Sequence, residues 1–246
     1  MPLEIPHPNV LVAVCTYNEI ANIAELIQRV FAAVSECHLL VIDDHSPDGT
    51  CDWVRDAMAI DPRLRLIVRM DQRGLGGATR AALQYAVDHD YEFVMNLDGD
   101  LSHDPIVLPT MLELARENPE IDVVVGSRYV LNGAIKGWPW RRRIMSRMVN
   151  RFATTVLGLP VSDCSGSMRC YRVSALKSID PSTLKSESYA ILEELLVRLR
   201  RNKSQMVEIP IEFVDRAHGE SKLTIRELLR SVWQLMLVAK RSKFSN

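Results

Sequence analysis

Cysteine is sparse: Cys15, Cys37, Cys51, Cys164 and Cys170 are odd in number and contain no C-x-x-C pair. That pattern fits reduced thiols in structural roles better than a disulfide framework or a zinc site. Long apolar runs are missing too. No window approaches the roughly 18 uncharged apolar residues that a membrane span requires, and the best stretch, Ser231 to Ala239, is flanked by Arg230 and Lys240. An excess of one charge is also lacking, since 30 basic residues against 31 acidic ones leave a net charge of −1. No global field draws such a chain to nucleic acid or to a membrane, so electrostatic recognition has to be local, and no nucleic-acid partner is expected. The opening Met1-Pro2-Leu3-Glu4-Ile5-Pro6 has neither the basic start nor the apolar run of a secretory signal, which sets the expectation of a cytosolic protein.

What is present suits a folded enzyme-sized domain. With 246 residues, 47% hydrophobic and 25% charged, the chain can bury a large core, and one domain over residues 1–246 is expected. Val10 to Val14, Leu39 to Ile42, Leu64 to Val68 and Phe93 to Leu97 are short apolar runs that read as strands. Helical spacing of Ile23, Leu26, Ile27 and Val30, then Thr50 to Met58 and Ala78 to Val87, places helices between them. Further strands are expected at Val123 to Val125 and Met206 to Phe213, with a helix at Ala190 to Arg200. Alternating β and α units with strands apolar on both faces imply a parallel sheet covered on both sides.

In such sheets ligands collect beyond the carboxyl ends of the strands. Three polar clusters follow strands in that way: Thr16-Tyr17-Asn18-Glu19, Asp43-Asp44, and Asp98-Gly99-Asp100. Two carboxylates two residues apart on an extended segment point the same way. Clustered so, Asp98 and Asp100 suit a hard cation such as Mg²⁺ or Mn²⁺, with Ser102 as a weaker oxygen ligand. Read singly, Asp-Gly-Asp is equally a turn. One of Asp43 and Asp44 could accept hydrogen bonds from a nucleobase while the other caps the next turn. Gly74-Leu75-Gly76-Gly77 could bring backbone N–H groups to a phosphate or simply form a loop. Arg128, Arg216 and Lys222 are candidate anion binders, against the ordinary alternative of solvated surface cations. His103 could be a ligand, a base or a packed side chain, and no catalytic role is assigned to it.

Two stretches are amphipathic and basic. Between Trp138 and Leu157, Trp140, Ile144, Met148 and Phe152 recur four apart among Arg141, Arg142, Arg143, Arg147 and Arg151. Between Leu223 and Lys243, Leu228, Leu229, Val232, Trp233 and Met236 share a face bordered by Arg226, Arg230, Lys240, Arg241 and Lys243. Each reads as an amphipathic helix.

Taken together, these segments resemble glycosyltransferase family 2 with the Rossmann-like GT-A fold, and within it the dolichyl-phosphate (polyprenol-phosphate) mannose synthases that lack transmembrane helices. The resemblance rests on Thr16 to Glu19, Asp43 to Thr50, Gly74 to Gly76, Asp98 to His103, Gly126 to Tyr129, Asp163 to Arg169, and Phe213 to Leu223. It implies transfer of mannose, with inversion, from GDP-mannose to dolichyl or polyprenyl phosphate, using Mg²⁺ or Mn²⁺. A UDP-glucose donor or a non-catalytic subunit are the alternatives. It implies Thr16, Tyr17, Glu19, Ile42, Asp43 and Asp44 as donor-binding residues, with Asp98 and Gly99 as donor contacts and Asp98, Asp100 and Ser102 at the metal. Arg128, Arg216 and Lys222 resemble phosphate-binding cations, and Arg142 and Ser146 match positions that hold the lipid phosphate. Because a polyprenyl phosphate keeps its tail in the bilayer, both amphipathic helices are expected at a membrane surface, peripheral on the cytoplasmic face, with a small membrane-anchor subunit as a further potential partner. Packing on the core or on a partner is the alternative for the C-terminal helix. The chain departs from the family pattern at Cys15, where proline is usual, and at Gly99, where alanine is usual.

Overall fold

A computed structural model describes residues 9–70 and 73–215. Arg216, Lys222 and the amphipathic stretch 223–243 therefore lie outside the described residues.

β1 (Val10–Thr16), β2 (Cys37–Asp43), β3 (Leu64–Val68) and β4 (Phe93–Asp98) alternate with α1 (Ile23–Ala33), α2 (Thr50–Met58) and α3 (Leu75–Asp88). α4 (Leu108–Glu117), β5 (Ile121–Ser127), β6 (Ala134–Lys136), α5 (Trp140–Leu157), β7 (Arg169–Arg172), α6 (Val173–Lys177), α7 (Ala190–Arg201), β8 (Gln205–Pro210) and β9 (Glu212–Val214) follow. The large sheet has the order β3-β2-β1-β4-β7-β5-β8. Its strands are mutually parallel except β7, which runs antiparallel between β4 and β5.

The strand period of two divides the apolar side chains between two cores. Leu11, Ala13, Leu40, Ile42 and Val94 face α3, α6 and α7, while Val10, Val12, Val14, Leu39, Val41, Phe93 and Met95 face α1, α2 and α4. Both sheet faces are thus covered, as the unbroken apolar runs required.

β6, β7 and β9 were not anticipated, and the strand expected from Met206 to Phe213 is two. Pro210 has no N–H to continue the ladder with β5. At Ile211 the chain turns its side chain into the core, donates to Ser127 O (3.0 Å) and accepts from Ala134 N (3.0 Å). Beyond it, β9 leaves the large sheet and pairs in parallel with β6. α5 starts at Trp140, after Pro139, and stops at Gly158 in the left-handed conformation (φ 62°), so Trp138 precedes the helix and packs inward against Phe213. Among the described residues no helix is long and apolar enough to cross a membrane.

Strand order brings the site together. β1 lies between β2 and β4, with Thr16 opposite Asp43 and Cys15 opposite Asp98. The three polar clusters therefore share one crevice at the carboxyl ends of adjacent strands, where the order turns from β2-β1 to β4.

Candidate active site

On one side of the crevice, Asp43 is a structural hub. It is fully buried, and its Oδ2 accepts from Thr16 Oγ1 and Ser46 Oγ (both 2.7 Å), while Oδ1 accepts from Ser46 N and Cys51 Sγ (both 2.7 Å). It fastens the end of β1 to the turn before α2, which is the capping role. Asp44 is also buried. Its Oδ1 receives Arg69 Nη1 (2.7 Å) and its Oδ2 the Gly74 N–H (2.6 Å), so it organises the loop after β3. Ile42 has no exposed surface and packs with the α3 core residues. Its side chain is a wall behind the crevice, so any donor contact of Ile42 falls to its backbone.

The glycine loop serves packing. A Cβ on Gly76 would lie 2.2 Å from Ser186 O, and the Gly76 N–H donates to Glu187 O (3.1 Å). The N–H groups of Gly74 and Gly76 are thus engaged within the protein, as the plain-loop alternative expects. Above it, Tyr17 is exposed and its hydroxyl accepts from Arg73 Nη1 (2.9 Å), the guanidinium lying 5.0 Å from the ring centre. Glu19 holds the start of α1, its carboxylate accepting from Asn22 Nδ2 (2.7 Å) and its N–H reaching Thr50 Oγ1 (3.1 Å).

On the other side, β4 ends at Asp98, and residues 99–102 turn, with Leu101 at φ 60°. The extended alternation expected through Ser102 therefore stops at Asp98. Asp100 Oδ1 accepts from the Ser102 N–H (3.0 Å), so the segment is a turn and a carboxylate pair at once. Asp98 remains partly exposed, whereas Asp100 and Ser102 are buried. His103 is buried edge-on to Phe213, its Nδ1 3.6 Å from Asp98 Oδ2. Burial lowers its pKa, against the opposing charge of Asp98. Val214 N donates to Ser102 O (3.0 Å) and Asp215 N to Lys136 O (3.0 Å).

Arg128 does not stand free. It is buried, and its Nε and Nη2 grip Asp163 at 2.7 and 2.8 Å while Nη2 also reaches Ser165 Oγ (3.0 Å). Burial alone would push Asp163 up, but the charge and hydrogen bonds of Arg128 hold it below the usual carboxylate range. Next to this pair, Ser146 Oγ on α5 lies 2.7 Å from Tyr129 OH. One turn earlier, the Arg142 guanidinium covers the Trp138 ring at 3.9 Å and points Nη1 at Asp215 Oδ2 (3.4 Å).

Residues 11–180 match the family described as glycosyl transferase family 2. The chain belongs to that family. This glycosyltransferase is 37% identical over 215 residues to the undecaprenyl-phosphate mannosyltransferase of Micrococcus luteus, covering 87% of each chain. It is 35% identical over 231 residues to the polyprenol monophosphomannose synthase of Mycolicibacterium smegmatis, covering 92% of this chain and 86% of the relative. Among solved structures, a mannosyltransferase from Pyrobaculum calidifontis in complex with GDP-Man and Mn²⁺ superposes with a TM-score of 0.63 at 18% identity, covering 98% of this chain and 65% of that one. The mostly parallel sheet flanked by helices is the GT-A-type fold.

The glycosyltransferase offers oxygen donors for a divalent cation. Asp98 and Asp100 sit at the crevice, and the buried Ser102 Oγ has no hydrogen-bond partner among the described residues. No group of three or more His, Cys, Asp or Glu able to hold a metal occurs among the described residues. A hard cation fits this set as a shared one, held in part by the protein and in part by substrate oxygens. The two departures from the family pattern are neighbours. A Cβ on Gly99 would lie 3.0 Å from Thr16 Cγ2 and 3.2 Å from Cys15 O, so residue 99 presses on the end of β1. Burial first, then Asp98 and Asp44, push the Cys15 thiol up to about 12, so it stays protonated in the crevice.

Sequence reasoning missed Arg69 and Asn150, and took Asp163 only as part of a motif. Arg69 follows an apolar strand, and Asn150 continues the four-residue spacing of Arg142 and Ser146. Both were legible signals.

Proposed function

We propose that the enzyme transfers mannose from GDP-mannose to a polyprenyl phosphate, with inversion, at the membrane surface. One observation carries this reading: identity of 35 to 37% to two polyprenyl-phosphate mannose transferases, extending over nearly the whole chain. The crevice supports it chemically. An anionic phosphate oxygen of the acceptor attacks the anomeric carbon, the new carbon–oxygen bond forms on the opposite face, and the bond to the donor diphosphate breaks to release GDP. A phosphate is already ionised near neutral pH and needs no general base, and His103, the histidine beside Asp98, is buried with its pKa lowered by that burial.

Asp98 and Asp100, with Ser102, would hold a divalent metal, Mg²⁺ or Mn²⁺, whose contribution is Lewis-acid stabilisation of the departing diphosphate. Thr16, Tyr17, Glu19 and the loop organised by Asp43 and Asp44 line the nucleoside side. Arg128, kept in place by Asp163, faces the reacting phosphates, with Arg216 and Lys222 as further cations. Arg142 and Ser146 receive the lipid phosphate. Trp140, Ile144, Met145, Met148, Phe152 and Val156 are all exposed along α5, flanked by arginines, a pattern suited to the headgroup boundary of an anionic membrane. Attachment there, on the cytoplasmic face, places the enzyme where its acceptor resides.

The test incubates purified protein with polyprenyl phosphate and separate GDP-mannose, GDP-glucose and UDP-glucose, with Mg²⁺, Mn²⁺ or chelator, and identifies the lipid product by mass spectrometry. A mannosyl lipid from GDP-mannose in the presence of metal is expected. Product from UDP-glucose alone overturns the donor assignment, and undiminished turnover in chelator overturns the metal.

A further inference from the structure

α5 carries two opposed stripes at four-residue spacing. Trp140, Ile144, Met148 and Phe152 are exposed. Arg142, Ser146 and Asn150, two residues out of phase and hence on the opposite side, face the body of the protein. From Trp140 to Val149 no residue of the helix is buried, and Asn150 is the first that is. Ala153 and Leu157 seat the C-terminal half of the helix in the core, but the 140–149 half is too lightly packed to fix its own position through apolar contacts.

The Asn150 amide makes the attachment. Its Nδ2 donates to Ser165 Oγ at 2.9 Å, and its Oδ1 accepts from the Cys164 N–H at 3.1 Å. The same Nδ2 is within 3.4 Å of Tyr129 OH and 3.3 Å of Ser146 O. Ser165 Oγ also receives Arg128 Nη2 at 3.0 Å, and Tyr129 OH meets Ser146 Oγ at 2.7 Å. One buried amide therefore joins the helix that bears Arg142 and Ser146 to the loop that holds Arg128.

We propose that Asn150 is a positioning residue for the acceptor: its amide clasps α5 to the 163–165 loop and sets the Arg142–Ser146 stripe against Arg128, so that one phosphate meets both. The assignment of that phosphate to the acceptor rests on the proposed function, whereas the clasp itself does not. Asn150 touches neither substrate, and its effect is confined to how well the helix presents its polar stripe.

Two readouts test this. In the mannosyl-transfer assay, Asn150→Ala and Ser165→Ala each raise KM for polyprenyl phosphate about tenfold, the scale of losing a buried hydrogen bond, while KM for GDP-mannose stays within about twofold. The double variant costs less than the product of the two single effects because the Asn150–Ser165 bond is lost in each, and Ser165→Thr, which keeps the hydroxyl, restores the acceptor KM. An unchanged acceptor KM in both variants, or acceptor and donor KM rising together with a fall in kcat, overturns the proposal. Hydrogen–deuterium exchange reads the clasp without substrates: amides of 140–149 exchange faster in both variants while those of β1 and β4 do not. Equal exchange in wild type and variants overturns the clasp whatever the substrates prove to be. A wild-type enzyme that shows the exchange difference but makes no mannosyl lipid rejects the functional reading instead.

Discussion

Asp163 is a charged group with no exposed surface, made tolerable chiefly by the Arg128 guanidinium and also by the N–H groups of Arg128 and Gly166. Removing one partner of such a pair strands the other in a low-dielectric interior. Asp163→Asn is therefore expected to lower unfolding stability by about 3–5 kcal/mol at pH 7, measured by urea denaturation. The sign with pH follows from a folded pKa below the ordinary 3.8. The Asp163 contribution is complete above that ordinary value and is lost as pH falls through the depressed one, so variant and wild type converge only in strong acid. A stability difference that persists unchanged into strong acid contradicts the ion-pair account. Asp100 is a different kind of carboxylate, buried yet set at the crevice and bonded to the Ser102 N–H. Asp100→Asn keeps that hydrogen-bond acceptor and removes the charge. Transfer is expected to fall about a hundredfold or more, with Tm nearly unchanged and a higher metal concentration needed for half-maximal rate. Normal turnover in this variant sinks the metal assignment.

At the scale of elements, α5 differs from the other long helices. α1 buries Ile23, Leu26, Ile27 and Val30 against the sheet, whereas α5 leaves its apolar stripe uncovered over most of its length. Replacing Ile144 and Met148 together by Asp should weaken binding to anionic vesicles about tenfold or more in a flotation assay, by removing apolar insertion and adding repulsion. Circular dichroism and Tm should stay near wild type because both side chains are exposed. Undiminished flotation removes the membrane role of this face. The helix and its arginines could be read from sequence because an amphipathic period is a local pattern. So could β1, β2 and β4, whose two buried faces demand unbroken apolar runs. β7 could not, because Arg169 and Arg172 take up two of its four residues, and the fully buried Arg169 is made acceptable by Cys164 O, Leu192 O and Tyr171 OH. The candidate site divides in the same way. Asp98 and Asp100 announced themselves by following a strand. Their surroundings did not, since the pairing of Asp44 with Arg69, of Arg128 with Asp163 and of Asn150 with Ser165 joins segments that only the folded chain brings together.

The whole molecule carries a fault that pH should expose. Glu193 of α7 lies in the interior, its Oε2 has no hydrogen-bond partner among the described residues, and burial raises its pKa from 4.5 to about 7. A backbone hydrogen bond and then Arg169 draw that value down and Asp163 pushes it up, each less than burial does. For an acid whose folded pKa lies above its unfolded one, the native state holds a proton that the unfolded state has released. Stability therefore declines as pH rises from about 4.5 to 7, and above that window the full cost, at most roughly 3 kcal/mol, is present. Glu193→Gln keeps the shape and removes the titration. The variant should match wild type near pH 4 and melt a few degrees higher at pH 8, the difference growing through the interval between the two pKa values. A pH-independent gain would assign the effect to packing, and no gain at pH 8 would mean that water or a neighbouring donor already satisfies the ionised carboxylate. Because α7 also packs behind the loop that carries Asp163 and Ser165, the same variant separates global stability from activity: its Tm should shift with pH while the acceptor KM at pH 7 stays near wild type.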